Sequence, residues 1–456
     1  MVQVVFYHIL THGLFRNYHL GPNLDLFAAE SKMKQLAGAK AGMTLLLCAA
    51  FAIRLAAAIG WQMQLSDESR FGFADSESYW VLAQTIARGD TYQFGDANAQ
   101  VFRTPGYPAV LACMFAIVGD DPPSLWARAL GALLGTVAVG AVFWLAQLLF
   151  DQSVAWLAGW VTALFPGAIA MSVLVLSESL FCPLMMVQLG LMVLAFRSQK
   201  IRPTVIFALL AGLLAGAATL ARPSWLCFTP LAAIMYGLAD KRRVRSWVCG
   251  ATMLLGMVLA LLPWWTRNYS VTGHFVPTTL QVGASLYDGW NPRADGGSDM
   301  SFVHHLTQAG TDAWQKANPR EESLEYYLDR YMQREAMTWA NAHIGQVIGL
   351  AGSKLKRLWS PWPNAEEFQN WSIRLLFAAS FIPVAVTGFY GIVHFSRQGV
   401  LYFLCWLPAL YFTILHTIFV SSIRYRQPAM LPLIVLATAT TVMGFRAWRD
   451  RNRTIP

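Results

Sequence analysis

The feature that most constrains this chain is a recurrence of apolar runs about as long as a bilayer is thick, separated by short polar turns. A helix needs about 20 apolar residues to cross the hydrocarbon core, because it rises only 1.5 Å per residue. Candidate spans lie at 43–61, 125–149, 154–175, 179–196, 204–220, 225–239, 247–266, 371–395, 400–416 and 428–446. Lipid offers no hydrogen-bond partner to an open backbone, so such runs must become helices packed side by side. The expected fold class is an all-α integral membrane protein of about ten transmembrane helices. Composition agrees: 56% of the 456 residues are hydrophobic and 13% are charged, against roughly 25% charged in soluble domains.

The formal charge of +9 does not call for a nucleic acid, because the basic residues sit in short clusters between apolar runs. Clusters so placed set topology. They lie at Lys32–Lys40, at Arg197–Arg202, in KRRVR at 241–245, at Arg397 and in RAWRDRNR at 446–453. All fall on one side of the membrane if the short run 107–118 lies in the interface instead of crossing. That side is then cytoplasmic, in a multi-pass protein of the cell (inner) membrane. Residues 1–42 are expected to form a poorly packed cytoplasmic segment, with Met33 as an alternative start, 43–446 the membrane domain and 447–456 a basic cytoplasmic tail. Two long segments, 62–124 and 267–370, face outward.

Six cysteines at 48, 113, 182, 227, 249 and 405 lack metal-ligand spacing and read as small core hydrophobes. His304 and His305 stand without cysteine or paired acidic neighbours, so no metal site is assigned; dependence on a divalent metal stays open, and no cofactor is evident.

The chemistry-bearing residues gather at the outward turns. FADSESYW at 73–80 places Asp75 ahead of a helix expected over 76–88, where it can serve as an N-cap or as a site residue. Glu77 follows two residues later, about 200° around a helix, so the two carboxylates cannot easily address one atom. VFRTPGYPAVL at 101–111 carries Arg103 on a turn fixed by proline and glycine. Glu178 stands at a helix junction with Ser177, Arg222 lies in LARPSWL, and Arg424 and Arg426 lie in SSIRYRQPAMLP. Capping would explain Glu178 as well as a site would, and snorkelling would explain each arginine.

Taken in order, these elements resemble the polyprenyl-phosphate-dependent glycosyltransferases of the C superfamily (GT-C). They are most similar to bacterial members of glycosyltransferase family 39, relatives of protein O-mannosyltransferases and of the lipid A aminoarabinose transferase. The resemblance rests on D-x-E-x-Y at 75–79, R-x-P-G-Y-P at 103–108, L-F-P at 164–166 and S-E-x-L-F at 177–181. It continues through A-R-P at 221–223, P-W-W-x-R-N-Y at 263–269 and R-Y-R-x-P at 424–428. The resemblance implies an inverting transferase whose first outward loop carries two juxtamembrane helices, here about 76–88 and 107–118, and the catalytic aspartate, here Asp75. Its partners are a polyprenyl-phosphate-linked sugar and an acceptor hydroxyl on protein, lipid or glycan, with no nucleic acid. This chain departs in two places: Glu77 is two residues from Asp75 where many relatives have an adjacent acid, and Glu178 stands where aspartate is frequent.

The residue types suit that chemistry. A carboxylate can take the acceptor's proton, and guanidinium groups can bind the leaving phosphate bidentately. Asp75 is the expected base, with Glu77 and Glu178 as further acidic candidates; Arg103, Arg222, Arg424 and Arg426 are the phosphate-binding candidates. Tyr287, Asp288, Trp290 and Asn291, in QVGASLYDGWNPRADGG at 281–297, combine aromatic faces with polar edges that fit a sugar or acceptor, or simply a structured loop. One helix over 322–360, with Lys354, Lys356 and Arg357 beside its aromatics, is expected to lie in the membrane interface. The rival function is a lipid or glycan transporter. Against it, ionisable groups lie at one face with Arg54 as the exception, and no two-half symmetry of interrupted helices is visible.

Overall fold

The structure, a computed structural model, describes residues 26–65, 70–95, 99–240, 243–317, 323–363 and 370–453. The first 25 residues of the N-terminal segment and the last three of the tail therefore lie outside the described residues.

The described residues are helical, with no strand among them. In chain order the helices are α1 Leu26–Gln62, α2 Ala74–Arg88, α3 Gly106–Val118, α4 Leu125–Leu149, α5 Gln152–Leu164, α6 Pro166–Val173, α7 Glu178–Arg197, α8 Ile201–Ala221 and α9 Phe228–Ala239. They continue with α10 Arg243–Thr272, α11 Val282–Gly289, α12 Val303–Ala317, α13 Leu324–Ala342, α14 Ile344–Leu358, α15 Trp371–Ser396, α16 Phe403–Ile418 and α17 Ile423–Arg453. Among the described residues eight helices are long and apolar enough to cross a membrane, and α5 with α6, bent by 56° at their junction, makes a ninth if the pair counts as one span. The expected tenth span, 225–239, is a shorter apolar stretch, Pro223–Ala239, in which the 3-10 turn Pro223–Trp225 precedes the 12-residue α9. The chain is a multi-pass membrane protein of eight to nine crossings by length among the described residues.

The bend between α5 and α6 has a local cause. Pro166 has no N–H to continue the helix, and Phe165 before it is extended, as residues preceding proline prefer. The last carbonyls of α5 are thereby left open at a depth where an unsatisfied group costs several kcal/mol. Arg54 of α1 answers them. Its Nη2 donates to the Thr162 carbonyl at 3.2 Å, its Nη1 to the Ala163 carbonyl at 3.2 Å, and its Nε to the Ser172 hydroxyl at 3.2 Å. This intramembrane arginine is thus a helix terminator from a neighbouring span. Elsewhere the spans approach through small residues: a Cβ on Gly212 of α8 would overlap the Met253 carbonyl of α10, the contact that small-residue interfaces permit in lipid.

The two long connections gather at one end of the bundle. The first supplies α2 and α3, close to the expected 76–88 and 107–118, clamped by Trp80 against Phe71 and Phe115. The second supplies α11 to α14. The single helix expected over 322–360 is broken at His343, whose backbone leaves helical geometry (φ −132°, ψ 45°) and whose ring stacks on Trp339. Along α14, Ile344, Ile348 and Leu355 are exposed, the apolar stripe an interfacial helix carries.

Candidate functional site

Helix α2 begins two residues earlier than expected. Phe73, extended, occupies the cap position and makes no side-chain cap bond, so the capping role anticipated for Asp75 is not what holds it. Asp75 lies in the first turn, where the helix dipole favours a carboxylate, and its side chain turns to two arginines. Arg103 Nη2 donates to Oδ1 at 2.7 Å, and Arg424 Nη1 donates to Oδ2 at 3.1 Å. Burial alone would raise this carboxyl's pKa; the charges of Arg424 and Arg103 overcome that and hold it well below the ordinary carboxylate range. Its side chain is still 38% exposed, so a hydroxyl can reach it. Glu77 is exposed on the opposite side of the helix, as its two-residue spacing requires.

Each arginine is set by its own element. Arg103 precedes the start of α3, and its Nε also donates to Ser78 Oγ at 3.1 Å and its Nη1 to Gln281 Oε1 at 3.0 Å. It therefore pins the first long segment to the second. The glycine of R-x-P-G-Y-P makes this approach possible: a Cβ on Gly106 would sit 2.6 Å from the Leu220 and Ala221 backbone, directly before Arg222. Arg424, in the first turn of α17, is shared. Its Nε lies 2.6 Å from Glu178 Oε1 while its Nη1 reaches Asp75. Glu178, the first residue of α7, is fully buried and pairs also with Arg222 Nη1 at 2.6 Å. The capping alternative for Glu178 gives way to this bridge, since Ser177 is the cap residue and the carboxylate binds arginines. Three guanidinium groups thus face two carboxylates, an excess of one positive charge at the bundle end.

Beside this cluster lies a cavity of about 390 Å³ whose wall includes Arg424, Arg357, Ser421 and Ser422 as well as Met171, Leu174 and Phe377. Polar groups and apolar side chains from α6, α15 and α17 thus share one space. Tyr425 also lines it, with Arg222 and Arg424 packed over its ring and His416 stacked against it at 4.4 Å.

Arg426 is not brought into the cluster. Its Nη1 donates to the carbonyls of Leu358 and Ser360 at 2.7 and 2.6 Å, and its guanidinium lies 3.8 Å from the Phe381 ring centre. Nor is the 287–291 group turned toward the carboxylates. Asp288 accepts from Ser298 Oγ at 2.6 Å and from the Asp299 N–H at 2.8 Å, and Asn291 bonds the Tyr287 carbonyl and the Arg293 N–H, each at 2.8 Å. Those two side chains build the loop. Tyr287 packs on Phe302, and Trp290 lies 6.0 Å from the ammonium of Lys354. Gln281, Tyr425 and His416 were not singled out from sequence. Lys354, read with the interfacial basic residues, is fully buried and ties the carbonyls of Gly289 and Ile418 together at 3.0 and 2.7 Å. Its place one turn before buried Leu358 on the inward side of α14 was the available sign. Among the described residues no group of three or more His, Cys, Asp or Glu is placed to hold a metal ion.

Residues 103–266 match the family model of dolichyl-phosphate-mannose-protein mannosyltransferases. The chain also superimposes on the archaeal oligosaccharyltransferase AglB of Archaeoglobus fulgidus, solved in complex with an inhibitory peptide and a dolichol-phosphate. That match has a TM-score of 0.55 at 14% identity and covers 90% of this chain and 52% of that one. The apo form of the same enzyme gives 0.57 at 14% identity, covering 91% and 52%. A looser likeness, TM-score 0.42 at 15% identity over 88% of this chain and 78% of the other, joins it to ArnT from Cupriavidus metallidurans bound to undecaprenyl phosphate. No curated protein matches by sequence. The chain thus shares the fold of the archaeal oligosaccharyltransferase, and its segment from Arg103 to Thr266 carries the sequence pattern of the mannosyltransferase family model. The chain spans about half the length of the archaeal oligosaccharyltransferase.

Proposed function

We propose that this protein is a glycosyltransferase that moves a sugar from a polyprenyl-phosphate carrier to an acceptor hydroxyl, with inversion, at the non-cytoplasmic face of the cell membrane. The observation that carries the reading is the junction of Asp75 and Arg424. A reachable carboxylate and a cluster with one surplus positive charge stand beside a cavity that is polar at Arg424 and apolar at Met171, Leu174 and Phe377. A lipid phosphate is itself a charged head on an apolar chain, and it fits that division.

In this reading the prenyl chain lies along the apolar wall and the phosphate meets Arg424 and Arg222. The acceptor oxygen attacks the anomeric carbon, and its proton passes to Asp75. The bond from that carbon to the phosphate oxygen breaks, and the phosphate keeps the electron pair beside the arginines. Arg103 holds Asp75 in place. Glu178 orients Arg222 and Arg424 without touching sugar, and Glu77 takes no part. The second long segment receives the acceptor, with Tyr287 and Trp290 as its aromatic faces. Transporters built on alternating access use interrupted helices in pairs, whereas the interrupted α5–α6 is single among the described residues.

Asp75→Asn keeps the shape and loses the proton affinity. It is expected to stay folded, with a lower melting midpoint from the loss of the charge held between Arg103 and Arg424, and to lose at least ~10²-fold in transfer rate from a polyprenyl-phosphate sugar. Glu77→Gln is expected to transfer normally. A fully active Asp75→Asn variant removes Asp75 as the base.

A further inference from the structure

Of the five charged residues in the cluster, only Arg424 also lines the cavity. Its other nitrogens are already committed, but unequally. Nε and Nη2 grip Glu178 at 2.6 and 3.4 Å, while a single Nη1 contact of 3.1 Å reaches Asp75. Glu178 is fully buried, so water cannot replace what it would lose. Asp75 is 38% exposed and keeps Arg103 at 2.7 Å whatever Arg424 does.

We propose that a lipid phosphate arriving in the cavity takes Arg424 away from Asp75, so that donor binding itself releases the carboxylate for proton transfer. The inference rests on the lipid-phosphate reading given above. Glu178 is the pivot about which Arg424 swings, and the Asp75 contact is the one that yields. Until the donor arrives, two guanidinium charges suppress the proton affinity of Asp75 and the acceptor keeps its proton. Once Arg424 turns to the phosphate, Arg103 alone holds the carboxylate, oriented but with less of its proton affinity suppressed. Arg424 thereby couples occupancy of the donor site to competence of the base, and the donor binds before the acceptor is activated.

Competition for one guanidinium has a thermodynamic signature that needs no turnover. The Kd of undecaprenyl phosphate is measured on the purified full chain for wild type, Asp75→Asn, Arg424→Gln and the double variant, after a thermal melt establishes that each is folded. Asp75→Asn is expected to bind the lipid phosphate about fivefold tighter or more, although it cannot transfer sugar. In the Arg424→Gln background the same substitution is expected to change nothing. Unchanged or weaker binding by Asp75→Asn overturns the proposal. So does tightening of equal size in both backgrounds, which would report only the removal of a negative charge. Where Arg424→Gln is not recovered folded, Arg424→Lys takes its place. A lysine, with one compact charge on the Glu178 side, must then give a smaller Asp75→Asn effect than arginine. Failure of wild type to bind undecaprenyl phosphate, or wild-type affinity in Arg424→Gln, is a different result: it sinks the donor-site reading underneath.

Discussion

Arg424 and Glu178 meet across 246 residues of sequence, with Nε of the one 2.6 Å from Oε1 of the other. Arg222 reaches the same oxygen at 2.6 Å, which makes one buried carboxylate the common anion of two guanidinium groups. Removing one partner of a buried ion pair typically costs about 3–5 kcal/mol, because the other charge is left uncompensated. Glu178→Gln is therefore expected to lower the thermal unfolding midpoint strongly, and Glu178→Gln with Arg222→Gln to recover part of it. A Glu178→Gln protein that melts like the wild type contradicts the bridge.

Arg426 gives the opposite expectation for ligand binding. Its hydrogen bonds close the end of α14 and the following turn through the carbonyls of Leu358 and Ser360. Arg426→Met strands those acceptors at about 1–3 kcal/mol, so stability should fall while undecaprenyl phosphate affinity holds. Loss of lipid affinity at full stability would return Arg426 to the donor site.

Much of this was legible in the sequence, and the gaps have physical reasons. Apolar runs and basic clusters gave the spans, and the turn chemistry gave α2 and α3 within two residues. The misplaced start of α2 matters more than its size: with Phe73 at the cap, Asp75 is freed to face Arg103 and Arg424. No local rule marks that start, because no side chain caps it. The grouping of Arg424 with Arg426 was avoidable. Two residues on a helix stand about 200° apart, the argument that separated Asp75 from Glu77, and it sends Arg426 to α14. Partners such as Gln281 and His416 come from distant elements, and only the packed structure brings them in. The count of ten crossings turns on α9, whose apolar stretch Pro223–Ala239 is shorter than the eight long spans.

The glycine of the R-x-P-G-Y-P turn should be irreplaceable. A methyl group on Gly106 meets backbone atoms of Leu220 and Ala221 at 2.6 Å, and backbone cannot swing aside as a side chain can. Gly106→Ala is expected to cost about 1–3 kcal/mol as overpacking and to reduce transfer by separating Arg103 from Arg222. Wild-type melting and transfer in this variant would show that the contact is looser than the geometry implies.

Glu325 of α13 introduces a pH dependence between the two long segments. Its carboxylate accepts from the backbone N–H groups of Gln100 and Val101 at 2.9 and 3.0 Å. Burial pushes its pKa up to about 7 from an ordinary 4.5, against the pull of those N–H groups and of Arg267. The folded state thus holds this proton more tightly than the unfolded one. The group's stabilising effect is full below pH 4.5, declines as pH rises toward 7 and is gone above it. Amide exchange at Gln100 and Val101, corrected for its intrinsic pH dependence, should lose protection over that window in wild type. Glu325→Gln should flatten the curve; a flat wild-type curve refutes the assignment.

The bond network around Arg54 has a consequence for how the chain enters the membrane. A lone arginine at mid-span makes α1 an expensive segment for a translocon to release into lipid, by about 2.5–3.5 kcal/mol. The α5–α6 segment, with its open carbonyls at Thr162 and Ala163, is expensive for the complementary reason. Each supplies what the other lacks, yet about a hundred residues of synthesis separate them. Until the interrupted segment is made, the first span has only its own Ala50 carbonyl and the interface to satisfy this guanidinium. Inserted as a pair, the two segments cost less than the sum of each alone, because the Arg54 hydrogen bonds satisfy both.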